Sequence, residues 1–337
     1  MPTCSTSFQP AWWCFNNHLQ TVAGVILKNQ PNLDVQRQRW DTPDGDFIDL
    51  DRLPGQTENS PRLLILHGLE GSSASKDVRH LMAAAHQMGW ESIGLNFRSC
   101  SGEINRLRRA YHAGETTDLA WVIEQLLKEN AARPLVCIGI SLGGNVLLKY
   151  LGEQGQTVPN QLKGAVTIST PFDLNAGIVY VEEGLSLLYV RRFIKSLKRK
   201  TFQKLEHYPD LVDRQSLRSV KTLSDFDELF TAPVHGFPNA ETYWRSSSSI
   251  HFLSAIRRPT LLINAQDDPF YPAKALPYQQ VADNDFLTGL FPRQGGHGAF
   301  IDGGWPFRLS CWADQQALTF LHKILAVEET ARLTKIG

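Results

Sequence analysis

The sequence predicts an α/β fold: a mostly parallel central sheet flanked by helices, with an inserted helical lid. Three observations carry this. Short apolar runs alternate with amphipathic stretches, the pattern of buried parallel strands joined by right-handed helical crossovers. One such run, residues 135–138, breaks at Gly139-Ile140-Ser141-Leu142-Gly143 and continues as a helical pattern through Tyr150. Between about residues 175 and 251 the alternation stops, and helical stretches, charged turns and a serine run (Ser246, Ser247, Ser248, Ser249) replace it. The core is therefore residues 1–171 and 256–337, and the lid is 172–255.

Composition narrows the class. Of 337 residues, 42% are hydrophobic and 20% charged, enough for a large core and unlike a disordered chain. With 34 basic and 34 acidic residues the formal net charge is zero, so no nucleic-acid partner is indicated. Cys4, Cys14, Cys100, Cys137 and Cys311 are scattered and odd in number, which points to reduced thiols, a cytoplasmic setting and no zinc site. The N-terminus lacks the basic-then-apolar pattern of a signal peptide. The apolar run at 22–27 is far short of the roughly 20 residues that cross a bilayer.

Taken in order, residues 8–21 are unusually aromatic (Phe8, Trp12, Trp13, Phe15) and read as part of an arm, residues 1–34, laid across the core. His18 beside them reads as a hydrogen-bonded structural residue. Residues 35–40 and 47–53 flank Thr42-Pro43-Asp44-Gly45-Asp46, and Asp-Gly between alternating segments signals a hairpin of two antiparallel edge strands. A buried strand at 63–66 ends in His67-Gly68-Leu69-Glu70-Gly71-Ser72-Ser73. A helix over 76–88 leads to another buried strand at 92–97. Leu119, Val122, Ile123, Leu126 and Leu127 then mark an amphipathic helix within 115–129. Cys100 has no cation or base beside it in sequence and reads as a packing residue. Strands at 164–169, 259–264 and 287–291 and a helix over 314–330 complete the core.

Strand, G-x-S-x-G, helix is the context of a nucleophile elbow, in which a serine sits on a strained turn above a helix N-terminus. A serine hydroxyl is a poor nucleophile until a base takes its proton, and that base must be held in one tautomer by an acid. The chain supplies both in the order Ser, Asp, His, each after a core strand: Ser141, then Asp267 or Asp268, then His297 among glycines. Asp268 is the acid expected, because in folds with such an elbow the acid commonly lies four residues before a proline that starts the next helix, here Pro272; Asp267 is then a turn or capping residue. A His297–Asp302 pair at acyltransferase-like spacing is a weaker match. Leu69 and Leu142 are placed to offer the two backbone N–H groups of an oxyanion hole, while His67 and Glu70 read as structural anchors.

These residues carry a resemblance. Phe8-x-Pro10 with His18-Leu19-Gln20-Thr21, the His67–Ser72 run, Asn96 to Arg106, Tyr111-His112-x-Gly114 with Thr117-Asp118-Leu119, the elbow, and Asp267-Asp268-Pro269-Phe270 together resemble the YheT/EMB8-type α/β-hydrolases, which include ABHD1- and ABHD3-like lipid hydrolases. Ser99 departs from the glycine usual there between arginine and cysteine. The resemblance implies a carboxylic-ester hydrolase acting on acyl or lipid-like esters, with a small-molecule substrate and no cofactor. Some members carry an N-terminal membrane helix; none is expected here.

The expectation is a serine esterase using Ser141, Asp268 and His297, with the lid lining an acyl pocket. Acyl transfer by the same triad, or a non-catalytic scaffold on the same fold, are the alternatives. The lid also holds Arg191, Arg192, Lys195, Lys198, Arg199, Lys200 and Lys204 beside Leu187, Leu188, Val190, Phe193 and Ile194. That basic amphipathic pattern suits either peripheral contact with an anionic membrane or a helix with a solvated charged face.

Overall fold

The computed structural model describes residues 8–27, 29–303 and 310–333. Eight strands form one sheet: β1 (Gln36–Asp41), β2 (Phe47–Leu53), β3 (Arg62–Leu66), β4 (Glu91–Asn96), β5 (Leu135–Ile140), β6 (Leu162–Ile168), β7 (Thr260–Ile263) and β8 (Leu287–Leu290). Their spatial order is β1-β2-β4-β3-β5-β6-β7-β8. From β4 to β8 all pairings are parallel, whereas β2 runs antiparallel to both β1 and β4. Only β1 of the predicted hairpin is an edge. Asp49 and Asp51 make β2 look half-solvated in sequence, yet both are buried, because Arg39 and Arg37 of β1 reach across and pair with them at 2.8 Å.

Side chains alternate between sheet faces, and each face has its own helices. Leu64 and Leu66 of β3, with Ile93 and Leu95 of β4, join one core with α3 (Thr117–Glu129) and α4 (Leu142–Gln154). Leu63 and Ile65, with Val136, Ile138 and Val166, join the other core with α2 (Lys76–Gln87) and the C-terminal helix Trp312–Leu333.

The aromatic arm is in part a helix, α1 (Asn17–Leu27). Its start has a local cause: the Asn16 side chain accepts the Leu19 N–H at 2.7 Å, the N-cap arrangement. Gln20 then fastens the helix by exchanging two hydrogen bonds with the backbone of Ile301. Between β6 and β7 the described residues form helices and turns, including α5 (Leu174–Val181) and α6 (Leu187–His207). This segment has its own apolar cluster, with Val190, Ile194, Leu205, Leu217 and Phe226 at its centre. Cys14, Cys100 and Cys137 are buried and Cys311 half-buried, none of the four paired in a disulfide, and Cys4 lies outside the described residues.

Candidate active site

Ser141 occupies the single residue between β5 and α4, at φ +52° and ψ −119°. A non-glycine residue in this region is strained, and the surrounding contacts must impose it. They do so through backbone packing. A Cβ on Gly143 would come within 2.6 Å of the Leu66 and His67 carbonyl oxygens, and one on Gly139 within 2.6 Å of the Gly143 carbonyl. The elbow is thus wedged against β3, and the Ser141 N–H is tied to the Ile168 carbonyl of β6 at 2.8 Å.

His297 follows β8 in a loop where Gly295, Gly296 and Gly298 all have positive φ. Three contacts hold it: its N–H donates to Thr21 Oγ1 of α1 at 2.9 Å, the Gly298 N–H donates to Ser169 Oγ at 2.8 Å, and its ring stacks on Phe270 at 4.2 Å. The imidazole bridges two side chains. Nε2 lies 3.1 Å from Ser141 Oγ, and Nδ1 lies 2.8 Å from Asp268 Oδ2. Asp268 is buried and also accepts the Phe270 N–H at 2.7 Å, so its rotamer is set before His297 meets it.

Asp267 turns away. Its carboxylate accepts the Gly296 N–H at 3.0 Å and its carbonyl accepts from Asn17, the structural role expected of it. Burial, with Asp268 beside it, raises its carboxyl pKa. Asp302 sits in a two-stranded ribbon with residues 310–311, and the ring partners of His297 among the described residues are Ser141, Asp268 and Phe270.

Beside Ser141 lies the turn after β3; a Cβ on Gly68 would stand 3.2 Å from the Ser141 Cβ. Leu69 follows in this turn, and Leu142 is the first residue of α4, where an N–H has no intrahelical acceptor. Neither N–H is used by a protein acceptor among the described residues. His67 is sealed beneath: Nδ1–H donates to the Gly68 carbonyl at 2.7 Å and Nε2 accepts the Phe97 N–H. Burial pushes its pKa down to about 4, so the ring is neutral and structural.

Above the serine opens a cavity of about 1130 Å³ whose apolar wall includes Ile178, Val181, Phe193, Leu197 and Phe226 of the helical segment. The cationic helix α6 does not show all its charge to solvent. Lys204 is buried on the backbone carbonyls of Leu107, Arg109 and Asn105, and burial pushes its pKa down to about 8. Lys200 reaches Glu70, and Lys198 donates to the Arg218 and Val220 carbonyls. Arg191, Arg192, Lys195 and Arg199 remain exposed.

Sequence reasoning missed Thr21 and Ser169, which hold the histidine loop. The signal for Thr21 lay in the His18-Leu19-Gln20-Thr21 motif; Ser169, at φ +54°, had none. It also gave Cys100 no charged neighbour, whereas the fold sets Lys200 Nζ 3.2 Å from its sulfur. Burial still pushes that thiol up to about 11, so it stays a packing residue. His18 is structural, 3.2 Å from the Tyr189 hydroxyl and stacked on that ring. The positive φ of Ser99, +64°, explains why glycine suits that position; here Ser99 Oγ bonds Asn105 instead.

Among the described residues no group of three or more His, Cys, Asp or Glu is placed to hold a metal ion, and no helix is long and apolar enough to cross a membrane. Comparison with known proteins agrees with the architecture. A family model described as alpha/beta hydrolase fold matches residues 61–304. The protein named "Putative esterase YheT" of Escherichia coli (strain K12) is 38% identical over 303 residues, covering 89% of this chain and 88% of its own. "Phospholipase ABHD3" of Mus musculus is 26% identical over 313 residues, covering 90% of this chain and 76% of its own. The solved structure of the Pyrococcus furiosus esterase Pf2001 superposes with a TM-score of 0.52 at 12% identity, covering 80% of this chain and 89% of that chain, a likeness of fold alone. The chain belongs to the α/β-hydrolase fold family, in the subfamily of YheT and ABHD3, and is a hydrolase.

Proposed function

We propose that the protein hydrolyses carboxylic esters with acyl or lipid-like chains through an acyl-enzyme on Ser141. The observation that carries this reading is the His297 imidazole, bonded to Ser141 Oγ on one side and to the buried Asp268 carboxylate on the other, at the foot of an apolar cavity. Ser141 Oγ attacks the ester carbonyl carbon while its proton passes to His297 Nε2. Asp268 accepts Nδ1–H throughout, which fixes the tautomer and stabilises the imidazolium. The carbonyl oxygen becomes an oxyanion and accepts from the Leu69 and Leu142 N–H groups; a donor of this kind is worth about 10²- to 10³-fold in kcat. Collapse breaks the bond to the alkoxy oxygen, which takes the proton from Nε2 and leaves as the alcohol. A water then attacks the acyl-enzyme with His297 again as base, releasing the acid and Ser141.

Nothing in this sequence of steps calls for a metal or an organic cofactor. The cavity exceeds the roughly 300–1,000 Å³ of ordinary small-molecule sites, and its apolar wall supports an acyl chain as its occupant.

The test is covalent labelling by a fluorophosphonate probe, comparing wild type with Ser141→Ala and His297→Ala. Labelling is expected in wild type alone, followed by turnover of p-nitrophenyl esters that improves from acetyl to longer chains. A folded wild type that neither labels nor turns over any ester overturns the reading.

A further inference from the structure

Glu70 directly follows Leu69, the residue assigned above as an oxyanion donor, and it sits at φ +55°. For a residue with a Cβ this left-handed conformation is disfavoured, so something outside the turn must hold it there. Two side chains do. The Tyr111 hydroxyl accepts the Glu70 N–H at 2.9 Å and donates to Glu70 Oε1 at 2.8 Å, clamping backbone and carboxylate together. Lys200 Nζ donates to the same Oε1 at 2.9 Å. The ion pair is secluded, with side-chain exposures of 4% for Glu70 and 17% for Lys200. Lys200 also touches the Cys100 sulfur, but burial keeps that thiol protonated, so the negative charge facing Lys200 is the Glu70 carboxylate.

Lys200 belongs to α6, 130 residues further along the chain. The same helix supplies Phe193 and Leu197 to the cavity wall. One rigid element therefore both borders the acyl pocket and grips the turn that aims the Leu69 N–H at the reacting carbonyl. We propose that Lys200 and Glu70 are positioning residues for the oxyanion site: α6, when seated, sets the Leu69 donor through this ion pair. The proposal rests on the serine-ester reading above.

A plain structural tether between the helical segment and the core would also explain an ion pair here, and Lys204 separates the two. It anchors the same helix to the core, on the carbonyls of Asn105, Leu107 and Arg109, without touching the Leu69–Glu70 turn. The experiment measures kcat and KM on a p-nitrophenyl ester, and the rate of fluorophosphonate labelling, for wild type, Lys200→Met, Lys200→Arg, Glu70→Gln and Lys204→Met, with Ser141→Ala as the blank. Lys200→Met is expected to lower kcat and the labelling rate about 10- to 100-fold, part of what a lost oxyanion donor costs, with KM changing less than about threefold. Lys200→Arg is expected to restore most of the rate, and Lys204→Met to lose stability while keeping kcat within about threefold of wild type.

Unchanged kcat in folded Lys200→Met, or an equal fall in Lys204→Met, overturns the proposal while Ser141-dependent turnover leaves the esterase reading standing. Wild-type turnover that survives in Ser141→Ala overturns both. If Lys200→Met does not fold, Glu70→Gln decides. It keeps the shape and the Tyr111 contact but removes the charge that Lys200 grips, so a kcat equal to wild type there is equally fatal.

Discussion

Asp227 lies in the helical segment with its open side toward the cavity. Its carboxylate accepts from the Thr231 hydroxyl at 2.6 Å and from Trp244 Nε1–H at 2.8 Å. Removal from water dominates and pushes its pKa up to about 6 against those two bonds, with Glu182 adding repulsion. The unfolded chain gives up this proton near pH 4 and the folded chain near pH 6, so folding takes up a proton between those values. Stability from this group is thus intact below about pH 4 and is lost as pH rises through about 6, a penalty of about 3 kcal/mol once complete. Asparagine is isosteric, can still accept from Trp244 and can donate to Thr231, and it carries no charge to desolvate. Allowing about 1 kcal/mol for the weaker neutral hydrogen bonds, Asp227→Asn is expected to be more stable than wild type by about 2 kcal/mol at pH 8. That advantage should shrink toward zero by pH 5. Urea unfolding of both proteins at pH 5, 6.5 and 8 measures it. An advantage that is flat with pH, or a variant destabilised at pH 8, refutes the reasoning.

Four further outcomes are expected. Arg98 is buried against Asp118, Asp46 and Asp44, so Arg98→Leu strands carboxylates and should cost about 3–5 kcal/mol, read as a lower urea midpoint; a loss below about 1 kcal/mol contradicts it. Gly143→Ala forces a Cβ to 2.6 Å from two backbone carbonyls that cannot yield, and should cost about 3 kcal/mol or more and abolish probe labelling; a folded, labelling variant would disprove the packing account. Ser99→Gly relieves a positive φ but loses the Asn105 bonds, each worth about 1 kcal/mol, so thermal melting should shift little and probe labelling should stay. The exposed Arg191, Arg192, Lys195 and Arg199 should give pelleting with anionic vesicles that weakens as salt rises; no pelleting at low salt removes membrane contact.

Much of the architecture was legible because its determinants are local. The six strands β3 to β8 were visible as short apolar runs bounded by turn residues, the trace a strand buried on both faces leaves, and β1 and β2 as alternating segments around an Asp-Gly turn. Ser141, Asp268 and His297 were legible because each follows a core strand in a fixed order, and the structure brings the three side chains together. Of the two adjacent carboxylates, the structure sets Asp268 against His297 Nδ1 and Asp267 against a backbone N–H. Helix α1 was not legible, because its Asn16 cap is embedded in an aromatic run with no helical spacing.

What only the tertiary structure decided are the pairings between distant segments. The hairpin motif specified β1 and β2 but not that β4 would take the far side of β2 and bury Asp49 and Asp51. The lysines of α6 form one basic run in sequence, yet Lys200 and Lys204 point inward, because the carboxylate and carbonyls that receive them lie about a hundred residues away. Chain-local chemistry determined the elements and the order of the reactive groups. Long-range packing determined which charges are buried, what holds the histidine loop, and which helix grips the turn beside the serine, because those contacts depend on how distant elements stack and not on any residue's neighbours in the chain.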